Sequence, residues 1–297
     1  MDLLPGFSAA RVETGAVALA IRRGGQGAPL VLLHGFPQTH LAWARVAPAL
    51  AERFDVILPD LRGYGESDAP PDDAGHGVYS KRAMAADIVG LLDALGLPRA
   101  HVIGHDRGAR VAYRLALDHA DRVDRLGICE VVPTGDMWAA WTAEMALAAY
   151  HWTFLAQPAP FPERMIGADP QGYLDHTLAS WTAAGDLAAF PAEALAAYRA
   201  QMADPVRVAA MCADYRAGAT TDRRHDAEAR AAGQRIAAPV HFLYGAEGFP
   251  SRAGDAAALW RPWAERLTVS TCRAGHFIME EAPEAILDAF LPFLGDA

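Results

Sequence analysis

Short runs of apolar residues alternate with amphipathic stretches along most of the chain. An apolar run of about four to eight residues predicts a buried strand, and apolar residues recurring about every three or four positions predict a helix. The predicted strands are two within residues 11–22, around a turn at Thr14 and Gly15, and one each at 29–33, 56–58, 100–103, 126–129, 239–244 and 267–270. Helical patterns follow them, including those capped by Thr39 and Ser80 and a last one over residues 283–294. This alternation predicts an α/β fold with a mostly parallel sheet and helices on both faces.

The alternation stops between residues 134 and 235. This segment is rich in alanine, tryptophan and tyrosine, has several helical patterns and shows no clear strand. We therefore predict a core formed by residues 1–133 and 236–297, and an all-helical cap formed by residues 134–235. Within the cap, the charged residues 222–226 are expected to face solvent.

The stretch from Gly104 to Gly108 joins a predicted strand to a predicted helix with almost no loop. Gly-x-nucleophile-x-Gly is the pattern of a nucleophile elbow, a turn so sharp that the residues beside the nucleophile must be small. The central residue here is Asp106 rather than serine or cysteine. A carboxylate in this position attacks carbon and forms an alkyl-enzyme ester, which suits displacement at a saturated carbon better than amide hydrolysis.

Further candidate catalytic residues follow the other strands, because ligands of open α/β sheets bind outside the carboxyl ends of the strands. His276, after the last strand, is the predicted base that deprotonates water near neutral pH. Two acids could orient it: Glu130, at the end of the strand after the elbow, and Glu247, after the next strand. We favour Glu130 because of its position at a strand end.

Residues around the elbow also predict how a substrate is held. The backbone N–H groups of Phe36 and Arg107 are the expected oxyanion hole, since Arg107 begins a helix and Gly35 allows a close approach. Arg107 and Arg110 lie three residues apart and so share a helix face. Two guanidiniums beside the nucleophile keep it ionised and can bind a substrate carboxylate that Asp106 would otherwise repel.

Composition limits the partners and cofactors. The 297-residue chain has a formal net charge of −10 at pH 7, which argues against a nucleic-acid partner. The three cysteines, Cys129, Cys212 and Cys272, form no C-x-x-C motif, so we predict neither disulfides nor zinc, and a reducing, cytoplasmic location. We expect no membrane span, no signal peptide and no dinucleotide-binding glycine loop. A small-molecule substrate without cofactor or metal is the prediction.

Several motifs together resemble the fluoroacetate dehalogenases, which are haloacetate halidohydrolases of the α/β-hydrolase fold. The resemblance covers nearly the whole chain. The elbow and the His-Gly-Phe-Pro motif at 34–37 are shared with epoxide hydrolases and haloalkane dehalogenases. The second arginine of the elbow helix and the His-Trp pair with Gln-Pro-Ala-Pro at 157–160 are more specific. Further matches lie at residues 130–134, 150–152, 214–218 and 275–277.

This resemblance implies a two-step reaction. Asp106 displaces the halide from the substrate carbon, and water activated by His276 then hydrolyses the ester to release glycolate. The family has an aspartate where this chain has Glu130, so here a glutamate must orient His276.

The resemblance also implies how the substrate binds. Arg107 and Arg110 bind its carboxylate, and the family's halide pocket corresponds to His151, Trp152 and Tyr215 of the cap. An imidazole N–H, an indole N–H and a phenol O–H supply three hydrogen bonds to a leaving fluoride. Trp181 matches a further cap position of the family, and a homodimer is implied as well.

Other functions remain open at this point. An epoxide hydrolase would use the same acid, base and nucleophile, with Tyr215 and either Tyr150 or Tyr198 protonating the epoxide oxygen; the paired arginines have no obvious use in that reaction. A ligand sensor that has lost turnover is a second alternative, although no catalytic residue is missing. A third is dehalogenation of chloroacetate or longer 2-haloacids without activity on fluoroacetate, since pocket volume decides between them.

Overall fold

A computed structural model, which describes residues 2–295, contains one eight-stranded sheet in that range. The strands are β1 (Ser8–Glu13), β2 (Ala18–Gly24), β3 (Ala28–Leu33), β4 (Phe54–Pro59), β5 (Ala100–His105), β6 (Val123–Cys129), β7 (Val240–Gly245) and β8 (Leu267–Cys272). They are arranged in the order β1-β2-β4-β3-β5-β6-β7-β8. Only the β1–β2 and β2–β4 pairs are antiparallel. The predicted mostly parallel α/β sheet is therefore confirmed.

The centre of the sheet is apolar on both faces because helices cover both. Residues 30–33 of β3 are completely buried, and Val31 pairs in register with Val102 of β5. Continuous apolar runs of this kind are typical of parallel strands covered on both sides. The carboxyl ends of β3, β5, β6 and β7 consequently lie side by side, which brings the residues that follow them together.

Helices of the core flank the sheet. They are α1 (Ala47–Leu50), α2 (Lys81–Ala94), α3 (Arg107–Asp118), α12 (Phe249–Arg252), α13 (Ala256–Trp260), α14 (Ile278–Glu281) and α15 (Pro283–Leu294). Ser80 caps α2 through the Ala83 N–H, at 3.2 Å, as predicted. The prediction of a single helix after Thr39 was wrong in its extent. A short 3₁₀ helix, His40–Trp43, is separated from α1 because Pro48 has no N–H with which to continue a helix.

Between β6 and β7 the described chain contains eight helices and no named strand. They are α4 (Thr134–Ala139), α5 (Ala143–Ala148), α6 (His151–Leu155), α7 (Phe161–Ala168), α8 (Pro170–Trp181), α9 (Ala192–Ala203), α10 (Pro205–Ala219) and α11 (Thr221–Ala231). We refer to them together as the cap. None of the helices within residues 2–295 has the length and apolar character needed to cross a bilayer.

One prediction for the cap was wrong in part. Residues 222–226 form part of α11, in which Arg223 and Arg224 are exposed as expected but Asp222 and Asp226 are buried. Asp226 pairs with Arg114 of α3 at 2.6 Å, and Asp222 lies 3.6 Å from the ammonium of Lys81 on α2. These acids are buried because cations of the core face them from across the cap–core boundary.

Candidate active site

The turn between β5 and α3 has the geometry of a nucleophile elbow. Asp106 adopts φ 46° and ψ −115°, a backbone conformation that residues other than glycine rarely adopt. The glycines on either side are required by space: a Cβ on Gly104 would lie 2.5 Å from the Gly108 carbonyl, and one on Gly108 would lie 2.3 Å from the His34 carbonyl. The strained turn presents the Asp106 carboxylate at the edge of the sheet.

A backbone donor holds the Asp106 carboxylate. The Phe36 N–H donates to Oδ2 at 3.0 Å. This approach is possible because residue 35 is a glycine: a Cβ on Gly35 would lie 2.5 Å from the Asp106 Cβ. Arg107 is the first residue of α3, where N–H groups have no partner within the helix. The part assigned to its N–H stays a prediction.

His276 and Glu130 lie together behind the nucleophile. The His276 Nδ1 is 3.2 Å from Glu130 Oε2, and both side chains are almost completely buried. Glu247, the other candidate acid, is exposed to solvent. Because Glu130 occupies Nδ1, Nε2 is the nitrogen left to take a proton from water. The geometry therefore favours Glu130 as the orienting acid.

A glycine-containing loop encloses the Glu130 carboxylate. Gly245 N–H donates to Oε1, and a Cβ on Gly248 would lie 2.1 Å from Oε2. Burial raises the pKa of Glu130 well above its usual value, against the opposing effect of the Gly245 N–H. Burial also lowers the pKa of His276 well below its usual value, with His105 adding to the effect. A neutral imidazole is the form that can accept a proton.

Both predicted arginines are buried and point inward. The Arg107 Nε and Nη2 donate to the Asp214 carboxylate at 2.9 and 2.7 Å, and Nη2 also donates to the Asp214 carbonyl. The Arg110 Nη1 donates to the Val132 carbonyl at 3.0 Å and to the Thr134 hydroxyl at 2.9 Å. Arg107 Nη1 and Arg110 Nε have no hydrogen-bond partner within residues 2–295. These two donors are available for a substrate anion.

Aromatic residues of the cap complete the site. His151 Nδ1 and the Tyr215 hydroxyl are buried and also lack a partner in the described chain. Their rings lie 5.4 Å apart, and each contacts Phe36 next to the nucleophile. Burial, together with Asp106, raises the pKa of Tyr215 well above its usual value, so its hydroxyl keeps its proton. Tyr215 is consequently a hydrogen-bond donor at neutral pH.

The two tryptophans of the site have different surroundings. The Arg110 guanidinium lies 4.6 Å from the centre of the Trp152 ring, so this indole packs on a cation. Trp181 lies with its ring centre 4.2 Å from that of His151 and 5.6 Å from that of His276. Its Nε1 is buried and has no partner among the described residues. Trp181, which the sequence left without a role, is thus a third cap donor at the site.

The two candidates for the second tyrosine of an epoxide hydrolase have different surroundings. The Tyr198 hydroxyl donates to Glu280 at 3.0 Å and is occupied there. Tyr150 lines a cleft of about 360 Å³ between cap and core, which also contacts Trp181, Phe249 and His276. This cleft gives solvent access to the predicted base and leaves Tyr150 as the candidate for a second tyrosine.

Potential metal ligands are dispersed over the described chain. Residues 2–295 contain no group of three or more histidine, cysteine, aspartate or glutamate side chains arranged to hold a metal ion. All three cysteines are free thiols, and Cys129 and Cys212 are buried.

An elbow at the carboxyl edge of a parallel sheet, with a histidine and an acid behind it, defines a hydrolase of the α/β-hydrolase class. The chain belongs to the α/β-hydrolase family, since a family model described as "alpha/beta hydrolase fold" matches residues 28–283. Fluoroacetate dehalogenase from Burkholderia sp. is 39% identical over 295 residues, covering 99% of this chain and 96% of that protein. The resemblance drawn from the sequence motifs is thereby confirmed.

Other relatives are also close. Soluble epoxide hydrolase from Corynebacterium sp. (strain C12) is 34% identical and covers 91% of each chain. The crystal structure of ALR0039 from Nostoc sp. PCC 7120 has a TM-score of 0.94 and 44% identity, covering 98% of this chain and 99% of that one. These similarities establish the family, whose members include both dehalogenases and epoxide hydrolases.

Proposed function

We propose that the protein is a haloacetate dehalogenase, which converts fluoroacetate or chloroacetate and water into glycolate and halide. The observation that carries this proposal is the set of unpartnered buried polar groups around Asp106, all of them donors once His151 adopts its Nδ1–H tautomer. Among the described residues, two belong to arginines of the core, and three belong to cap residues, namely His151, Trp181 and Tyr215. A short haloacid has a matching pair of groups, a carboxylate and a halogen one carbon away.

In the first step the Asp106 carboxylate attacks the halogen-bearing carbon. The carbon–halogen bond breaks, its electron pair leaves with the halide, and an ester to Asp106 forms. Arg107 Nη1 and Arg110 Nε would bind the substrate carboxylate and offset its repulsion from Asp106. The cap donors would stabilise the charge that develops on the halogen, because they are buried and held in place before the reaction begins.

In the second step water hydrolyses the ester. Nε2 of His276 takes a proton from water, and the resulting hydroxide attacks the ester carbonyl. Glu130 would stabilise the imidazolium that forms, and the Phe36 and Arg107 N–H groups would donate to the carbonyl oxygen as it gains negative charge. Collapse of this intermediate breaks the bond between the carbonyl carbon and the alkyl oxygen, which takes the imidazolium proton and leaves as glycolate. Loss of the remaining proton to solvent restores the Asp106 carboxylate, with His276 neutral again.

In this proposal Trp152 binds the halide together with His151 and Tyr215. Its contact with the Arg110 guanidinium supports a second function, which is to hold in place the arginine that binds the substrate carboxylate. The proposal includes both of these contributions of Trp152. It also includes that the protein is a homodimer and is located in the cytoplasm.

Epoxide hydrolysis is the second candidate, and the unpartnered Tyr215 hydroxyl favours it. The two functions are separated by measuring halide release from fluoroacetate, chloroacetate and 2-chloropropionate beside diol formation from a small terminal epoxide. Fluoride release supports the proposal in full, and chloride release alone restricts it to better leaving groups. Diol formation without halide release would replace it. Asp106→Asn is the matched inactive control, because it keeps the shape of the side chain and removes the nucleophile.

A further inference from the structure

Lys81 is a buried cation that neither step of the proposed reaction uses. It is the first residue of α2, and its side chain is only 2% exposed. Its ammonium ion-pairs with Asp214 of α10 and lies 3.6 Å from Asp222 of α11. Burying a lysine costs free energy unless it is paired, so its position between core and cap calls for an explanation.

The Asp214 carboxylate is shared between two cations. It accepts hydrogen bonds from Arg107, from the Lys81 ammonium and from the Tyr64 hydroxyl, the last at 2.9 Å. These cations hold the pKa of Asp214 well below its usual value, so the carboxylate stays ionised. Arg107 and Lys81 carry two positive charges against the single negative charge of Asp214. The second negative charge belongs to Asp222, which contacts Lys81 and not Arg107.

We propose that Lys81 is a positioning residue that makes the site selective for anionic substrates. By sharing Asp214 it leaves Arg107 incompletely neutralised, so that Arg107 Nη1 attracts a carboxylate more strongly than it would in a simple ion pair. The physical reason is that charge interactions are screened weakly in a buried site. This inference rests on the proposed function. It assigns part of the active site's selectivity for anionic substrates to a residue that does not touch the substrate.

The test compares an anionic substrate with a neutral one of nearly the same shape. Turnover of chloroacetate and chloroacetamide is measured for the wild type and for Lys81→Met, Asp222→Asn and Arg82→Met. Arg82→Met is the matched control, because Arg82 neighbours Lys81 on α2 but is exposed and pairs with Asp118. Asp222→Asn removes a charge while its side-chain oxygen can still accept the Lys81 backbone N–H, at 2.7 Å in the wild type.

Removing Lys81 should raise KM for chloroacetate about tenfold, with kcat changed by less than about twofold and the kinetics with chloroacetamide unchanged. Asp222→Asn should lower KM for chloroacetate by about two- to threefold. A damaged fold cannot tighten binding. The lower KM expected for Asp222→Asn therefore tests the inference even if Lys81→Met does not fold. Equal effects on both substrates, or an unchanged KM in Asp222→Asn, would overturn the inference.

A binding measurement separates this inference from the proposed function. If no haloacid releases halide, the proposed function fails, and calorimetric affinity for propionate tests Lys81 alone. Propionate binding that weakens about tenfold in Lys81→Met supports the inference, whereas equal affinity in both proteins overturns it.

Discussion

Replacing Glu130 with glutamine should block the second step and spare the first. In the wild type Oε1 accepts the Gly245 N–H and Oε2 accepts the His276 Nδ1–H, so both oxygens are used. A glutamine has one oxygen for these two donors. Leaving the buried Gly245 N–H without a partner costs about 1–3 kcal/mol, so the amide oxygen should turn toward it. The amide NH₂ then faces His276.

An NH₂ group facing Nδ1 requires that nitrogen to be unprotonated. The imidazole proton is then on Nε2, the nitrogen that must accept a proton from water. A change of tautomer of this kind reduces the rate of a histidine-dependent step by about 10⁴-fold, or ~5 kcal/mol in activation free energy. Alkylation of Asp106 does not use His276 and should keep close to its wild-type rate.

The assay follows halide release from chloroacetate after rapid mixing and measures the mass of the protein at the same times. Glu130→Gln should release one halide per active site in a burst, then almost stop, with the acid-bearing alkyl group retained on Asp106. Glu247→Gln is the matched control and should behave as wild type, because Glu247 is exposed at the cleft. Slow release without a burst would refute the reasoning, as would an equal loss in Glu247→Gln.

Three further predictions concern the same site. His276→Asn should accumulate the same ester, seen as a mass increase on Asp106; absence of the ester in quenched samples would remove His276 from the second step. Tyr215→Phe should slow fluoroacetate turnover by about 10-fold or more beyond its effect on chloroacetate, since fluoride depends most on hydrogen bonding as it leaves; equal effects on both substrates would place the hydroxyl elsewhere. Glu130→Gln should also raise the melting temperature at pH 7. The raised pKa of Glu130 means that this group stabilises the fold below its unfolded-state pKa and that this stability is lost as pH rises toward its folded pKa. The gain in the variant should therefore shrink toward pH 4.5, and a variant that melts lower throughout would contradict this sign.

Local patterns in the sequence predict where the strands lie along the chain. Once the strands are known, they also predict which candidate catalytic residues come together. Apolar runs mark β3 and β5, and the rule that ligands bind at carboxyl ends of strands brings Asp106, Glu130 and His276 together. The position of Glu130 at a strand end already favoured it over Glu247, and the burial that supports this preference is not visible in either local sequence.

The ion pairs between core and cap could not be predicted. Asp214 and Lys81 are separated by a long stretch of chain, and no periodicity in the sequence connects them. The same cause explains the error at Asp222 and Asp226, which belong to a charged stretch typical of a solvent-exposed segment although their own partners lie on α2 and α3. The tryptophans show a related limit, since the sequence contains both Trp152 and Trp181 but not the directions of their indole nitrogens.

In the proposed reaction the nucleophile, base and orienting acid all follow strands of the core, whereas the groups assigned to the leaving halide, on His151, Trp181 and Tyr215, belong to helices of the cap. Under this proposal, bond-making and leaving-group preference are encoded in separate stretches of the gene. Libraries that vary α6, α8 and α10 while retaining Asp214 should then change the halide accepted without altering the elbow. The cap is accordingly the natural target for directed evolution toward other carbon–halogen bonds.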